Sequence, residues 1–339
     1  MSRLIFQRQR LSDLNANLIA AWLKITRNND GFSSPFFSPY FALAVAQAVP
    51  EKCFVTIAFR DGQACGFFPF QYANPFFGRA ERIGLYLSDY NGYIAEQPLE
   101  AGQLTTLLTA SGIHQYAFDH LHEHQKRLGI DAEFIREGTA TQLLDGFEQY
   151  WKGREMAVGR FTKDTVRSIN KISTAVGPLR FQFHSADSDD LQNLIDCKRR
   201  QYQQTGVNDV MSSAWTQRCL GNLHAIQNRH FRGVLSSLYA GDTLISAHFG
   251  IAANSVLHYW FPAYNPEYSA YSPGRLLFYF MAKHAREHGI TTIDNGMGAQ
   301  KHKSDFANHT YQLGVGALRR KTLRCLLLRA QDYLNYRLF

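Results

Sequence analysis

The residues 271–276, YSPGRL, are of the types that gather an anion at a helix start. Ser272 suits an N-cap and Pro273 the first helical position. The amides of Gly274, Arg275 and Leu276 would then lack partners inside the helix, and Gly274 would keep side-chain bulk away. Arg275 and the helix dipole would add positive potential, so that with Tyr271 the stretch suits a pyrophosphate. The same letters also open ordinary helices, and that reading stands beside the first.

Other candidates lie around it. His248 shares a strand face with Ser246 and Gly250, and Val256, His258 and Trp260 share a face of the next strand. A three-residue loop at 252–254 would set His248 opposite His258, as a base or an acceptor clamp; the alternative is a pair of hydrogen-bonded sheet histidines. Asp294 ends a strand where α/β sites commonly open. It could bind or deprotonate an amine, or cap the glycine-rich turn 295–298. Lys303 suits cofactor phosphate or a plain surface. Asp89 and Tyr90, in LSDYNGY, suit an amine or sugar acceptor, or an Asx-turn with a packed tyrosine; Glu267 and Tyr268 are weaker candidates. His120, His122 and His124 alternate as metal ligands on a strand can, but no further ligand pair accompanies them and no metal is expected.

These side chains need a framework. The chain has 339 residues, 45% hydrophobic and 19% charged, which predicts two domains or one large one and excludes global disorder. Strands are expected at 54–60 and 64–71, joined by Asp61-Gly62, and helices at 11–25, 39–48 and 99–111. Residues 145–176 are rich in Lys and Arg, with Phe161, Thr165, Ile169 and Ile172 at helical spacing. They predict a basic amphipathic helix connecting two halves, with nucleic-acid binding as the other reading. Beyond it come strand 179–184, helices 188–203 and 213–227, hairpin 233–251, strand 255–261, helix 273–288, and strands 290–294 and 311–318. That order predicts a mixed sheet with helices on its faces, an α/β fold of the α+β mixed-sheet kind. The basic stretch from Leu318 toward Arg337 suits a helix closing the core, or one touching an anionic membrane.

A net charge of +8 favours an anionic partner. The five cysteines are scattered without a CxxC, the N-terminus has no apolar core of a signal peptide, and no run of about 18 apolar residues occurs. A cytoplasmic protein with reduced thiols and no transmembrane segment is expected.

Three places resemble one family, the CelD/BcsL-type GNAT acyltransferases, relatives of the FemAB peptidoglycan transferases. They are the SPG helix start at 272–274; DNGMGAQKHK at 294–303, similar to D-x-G-x-G-x-x-x-Y-K with His302 where the family usually has Tyr; and DGQACGFFPF with LSDYNGYI in the first half. The resemblance covers roughly 35–320. It implies two GNAT-like halves, the first degenerate and the second binding acetyl-CoA or another acyl-CoA. Domains are expected at 1–145 and 177–339, with 146–176 as the linker helix. It also implies N-acylation of a small-molecule or glycan acceptor in polysaccharide biosynthesis, cellulose included, or related envelope material.

Direct attack of an amine on a thioester needs a proton acceptor, a donor to the carbonyl oxygen and a proton or charge for the thiolate. His248, Asp294 and Lys303 are the catalytic candidates. Tyr271, Ser272, Gly274, Arg275 and Leu276 are the candidates for cofactor, and Asp89, Tyr90, His258 and Trp260 for acceptor. A FemAB-type transferase using aminoacyl-tRNA is the alternative, and a decayed, non-catalytic module within envelope-synthesis machinery is a third reading.

Overall fold

The structure is a computed structural model that describes residues 3–298 and 301–328, with 301 and 302 as backbone only. Two compact units divide the chain. The first holds the described residues up to Arg136 and those from Gln312 onward; the second is Glu137–Tyr311. The first half of the chain runs β1 (Ile5–Arg10), α1 (Ala16–Arg27), α2 (Pro39–Ala48), β2 (Cys53–Arg60), β3 (Gln63–Asn74), β4 (Arg79–Glu81), β5 (Ile94–Ala95), α3 (Gln103–Ala110), β6 (Gln115–His122) and α4 (His124–Arg127). The rest runs β7 (Phe134–Gln142), α5 (Phe147–Ala175), β8 (Leu179–Gln182), α6 (Ser188–Thr205), α7 (Ala214–Ala225), β9 (Arg232–Ala240), β10 (Thr243–Ala253), β11 (Val256–Tyr264), α8 (Pro273–His284), β12 (Thr292–Met297), α9 (Lys301–Ser304) and β13 (His309–Arg319).

The two units repeat one strand pattern. In the first the order is β1-β2-β3-β4-β6-β13, with β5 beside β3; in the second it is β8-β9-β10-β11-β12-β7. Each has three antiparallel pairings, then one parallel pairing (β4–β6 or β11–β12) bridged by α3 or α8, then an antiparallel closing strand. The fold is thus mixed α/β in two similar halves. The closing strand of the first unit comes last in the chain, whereas that of the second comes before all its other strands.

Local chemistry accounts for most element ends. Asp61 and Gly62 both take positive φ, 51° and 77°, as the tight β2–β3 hairpin requires. Asn15 accepts from the Leu18 amide and starts α1 there, so the expected helix at 11–25 begins as an isolated turn at Leu11–Asp13. Asp187 caps α6, and Gly206 ends it in the left-handed region. The expected helix 99–111 shortens to α3, and that at 273–288 ends as a 3₁₀ turn after His284.

The domain boundaries differ from those expected. α5 is not an exposed linker but part of the second unit, bent at Val158, with Tyr150, Trp151, Thr165 and Ile172 buried. Tyr150 and Trp151 join a core with Phe278, Met281 and Ile293, while Ile172 packs with Leu276 and Leu277. The apolar stripe of α5 outweighs its charges because Lys152, Arg160, Lys163, Arg167 and Lys171 all fall on the exposed side. Residues from Gln312 return to the first unit because β13 pairs with β6. Of the expected C-terminal helix, 329–339 lie outside the described residues.

One close approach fixes the second sheet. A Cβ on Gly250 would fall 2.3 Å from the His258 carbonyl oxygen and 2.6 Å from the His248 ring. Gly250→Ala is therefore expected to destabilise by about 1–3 kcal/mol, read as a lower urea midpoint with unchanged slope. An unchanged midpoint would contradict this packing.

Candidate active site

β11 and β12 run parallel for three residue pairs only, Val256–Thr292, Leu257–Ile293 and His258–Asp294. Beyond them both strands bulge. On β11, Tyr259 and Trp260 together face Gly250 of β10; on β12, Asn295 and Gly296 break the register with β7. A bulge turns a strand out of its ladder, and here two adjacent strands turn at the same level. A cleft of about 780 Å³ opens within the second unit, lined by Tyr259, Pro262 and Tyr264 of β11, residues 272–275 and Phe278 of α8, Phe161 of α5, Lys198 and Gln201 of α6, and Asp305 and Phe306.

The start of α8 faces this cleft, in a form that differs from the expected cap. Ser272 is left-handed (φ 56°, ψ 55°) and its side chain caps nothing. Its carbonyl accepts from both the Arg275 and Leu276 amides, so neither amide is left for a ligand. Leu276 is fully buried core, and Tyr271 packs beside it. The Arg275 guanidinium turns to the Ser168 hydroxyl on α5 (2.9 Å). Gly274 meets the expectation best: an added Cβ would have no neighbour nearer than Tyr264, at 3.9 Å. Glycine relieves no clash there; it keeps the cleft empty. In the first unit the matching helix start, at α3, is closed by its own side chains, with Gln103 bonded to the Glu100 amide and carboxylate. A carboxylate at that position repels anions, and β4 is only three residues long, each paired with β6.

At the last paired level, His258 Nδ1 lies 3.2 Å from Asp294 Oδ2. The Tyr311 hydroxyl and the Gly296 amide both donate to Asp294 Oδ1. Burial alone would raise the Asp294 pKa, but the His258 charge and these hydrogen bonds hold it below the ordinary value of 3.8. An imidazole oriented by a buried carboxylate can carry a proton. Lys303 is near, its ammonium donating to the Met297 carbonyl (2.9 Å). The side chain of His302 is outside the description. Tyr311 was not singled out in the sequence; nothing in its spacing from Asp294 marks it.

His248 does not oppose His258. The β10–β11 turn has two residues, Asn254 and Ser255, both at positive φ, so His258 pairs with Ile251 and His248 with Pro262. The His248 ring is fully buried and stacks on Tyr259 at 4.2 Å. Its Nε2 accepts from the Trp260 amide, which the bulge takes out of the ladder. Burial, aided by the His258 charge, pushes its pKa well below 6.5 and keeps it neutral. It braces the bulge. Trp260 is half-buried against Phe261 and Phe249.

The remaining candidates sit in the first unit. Tyr90 is 2% exposed beside Phe36 and Phe37, so it is a packed tyrosine. Asp89 lies 4.0 Å from His120 Nε2, and Asp119 holds the other ring nitrogen at 2.7 Å and Arg82 at 2.9 Å. His124 leaves the strand and packs edge-on against Phe32, so the three histidines do not share a face. Among the described residues no group of three metal-ligating side chains comes together, and no described helix is long and apolar enough to cross a membrane.

Asp294→Asn is expected to lower the urea midpoint at pH 7, by about 1–3 kcal/mol for a buried charged hydrogen bond. Because the folded pKa is depressed, this stabilisation is whole above 3.8 and fades as pH falls through the lower folded value. The gap between wild type and variant should therefore narrow on acidification; a gap that stays constant to pH 2 would contradict the assignment.

Residues 159–304 match the family model of the acetyltransferase (GNAT) domain. No curated protein matches the chain. Among solved structures, FemX is 11% identical with a TM-score of 0.61, covering 92% of this chain and 96% of that one. The C-terminal domain of a protein named as a lysylphosphatidylglycerol synthetase from Agrobacterium fabrum is 12% identical (TM-score 0.55, 93% and 96% covered). A protein of unknown function from Bacteroides thetaiotaomicron is 10% identical (TM-score 0.52, 92% and 100% covered). At such identities these structures are similar in fold. The segment 159–304, less than half of the chain, is thus similar to an acetyltransferase (GNAT) domain.

Proposed function

We propose that the chain is an acyl-CoA-dependent N-acyltransferase whose acceptor is an amine on a cell-envelope or polysaccharide precursor. The observation that carries this reading is the cleft between the bulged end of β11 and the start of α8, with the open Gly274 at its edge. A thioester lying there would have its diphosphate near the start of α8 and its acyl end toward His258 and Asp294.

The reaction then follows from the side chains. The amine nitrogen attacks the thioester carbonyl carbon, a C–N bond forms, and the C–S bond breaks. His258, steered by Asp294 and Tyr311, takes the proton from the amine. Tyr259 lines the cleft, and burial pushes its phenol upward, so it stays protonated and its hydroxyl can donate a hydrogen bond to the sulfur that leaves as thiolate. His248 acts through the bulge rather than as the base. Lys303 supports the turn after Asp294. Asp89, beside His120, is the acceptor-side candidate of the first unit. The envelope acceptor rests on the CelD/BcsL-type resemblance and on the name of the Agrobacterium neighbour.

A net charge of +8 favours a second reading, an aminoacyl-tRNA donor. Binding of tRNA would weaken steeply between low and physiological salt, by about 10³-fold or more for several phosphate contacts. Binding of an acyl-CoA would not.

Calorimetry with acetyl-CoA and longer acyl-CoAs tests the main reading. The wild type should bind at least one, and Gly274→Asp, whose Cβ would touch only Tyr264 at 3.9 Å, should bind at least about tenfold more weakly, since it sets a charge against the phosphates. His258→Ala should lower kcat by about 10²-fold with little change in KM. A wild type that binds no acyl-CoA overturns the donor assignment. If Gly274→Asp and His248→Ala both leave cellular function intact, the non-catalytic module gains instead.

A further inference from the structure

Lys198 is a part-buried cation without an acid. Its ammonium donates to the Pro262 carbonyl of β11 at 3.0 Å and to Gln201 Oε1 at 3.2 Å, and it lies 5.0 Å from the centre of the Tyr202 ring. Among the described residues no carboxylate is within ion-pair distance of it, whereas its neighbour Arg199 is paired with Asp209. A lysine drawn partly out of water gains from an opposing anion, because a lone charge away from water is costly. An ammonium has three donors. Two go to neutral oxygens of the protein, and Lys198 lines the cleft together with Gly274.

We infer that Lys198 is the side-chain anchor for a phosphate or diphosphate ester bound in this cleft. The inference rests on the reading of the cleft as the donor site and adds to it a residue outside the GNAT-like motifs. Two features support it. Burial pushes the Lys198 pKa down to about 8, and an oxyanion against the ammonium would restore the charged form. The start of α8 offers less than its sequence suggests, since the Arg275 and Leu276 amides are spent on Ser272 and the Arg275 guanidinium faces α5. A phosphate there needs positive charge from elsewhere on the cleft wall, and Lys198 supplies it. The anchored group would be the diphosphate of the acyl carrier, or a phosphate on another ester that enters the same cleft.

The test compares a thioester that carries the diphosphate and adenosine, one that lacks both, and the diphosphate alone. Acetyl-CoA, S-acetyl-pantetheine and inorganic pyrophosphate are titrated into the wild type, Lys198→Met and Lys198→Arg, with thermal melts confirming that each is folded. The wild type should prefer acetyl-CoA over acetyl-pantetheine. Lys198→Met should lose about tenfold or more of that preference, the value of one charge-assisted hydrogen bond, with acetyl-pantetheine binding unchanged. Lys198→Arg should keep most of it. A Lys198→Met protein that keeps the full preference, or loses both ligands equally, overturns the inference. A wild type that binds pyrophosphate in a Lys198-dependent way but no acyl-CoA upholds the anchor and overturns the donor reading. Binding of neither overturns both.

Discussion

The second half of this chain depends on two neighbouring parallel strands that stop pairing at one level. Three backbone pairs hold β11 to β12, and then both strands turn away. Parting a ladder leaves backbone polar groups to be satisfied by other means. Here the means are visible: His248 takes the Trp260 amide, and Asp294 takes the Gly296 amide. Both groups come from strands beside or within the break. Gly250 lets β10 lie close beside it, and the proposed chemistry sits where the repair is made. The imidazole and carboxylate that end the pairing are also the groups best placed to move a proton.

The first half shows what happens to the same layout without that constraint. Its parallel pair is short because β4 is short, and an Asn91–Leu121 bridge continues the pairing past the end of β4. Its crossing helix begins beside Glu100 and is closed by Gln103. The two units thus have one topology and opposite local chemistry. Their difference lies in strand length and in a few residues at one helix start.

Much of this was legible from the residues. Glycine and turn chemistry marked the hairpins, caps marked the helices, and the motif around Ser272 lies on the wall of a cleft. Asp294 and His258 were recognised by type and location. What failed depended on register or on distant partners. A loop one residue shorter than expected, followed by a bulge, moved His248 from opposite His258 to opposite Pro262, and no composition signal encodes a bulge. The charge of α5 suggested a solvated linker because a count of lysines ignores which side they occupy. Tyr311 and Lys198 could not be singled out, since each gains its meaning from a partner far along the sequence: Asp294 for one, Pro262 for the other.

The interchange of closing strands bears on how such a chain can be made. During synthesis the first sheet emerges with one edge still open, because the segment that covers β6 is β13, which is made only after every strand of the second unit. The second sheet has the reverse history, since β7, which pairs with β12, leaves the ribosome before the strands it will join. An uncovered strand edge invites pairing with other chains, and N-terminal regions generally fold while the rest is still being added. This order of assembly therefore makes the nascent first half the aggregation-sensitive stage, and a cut between the halves would separate one sheet from its final strand.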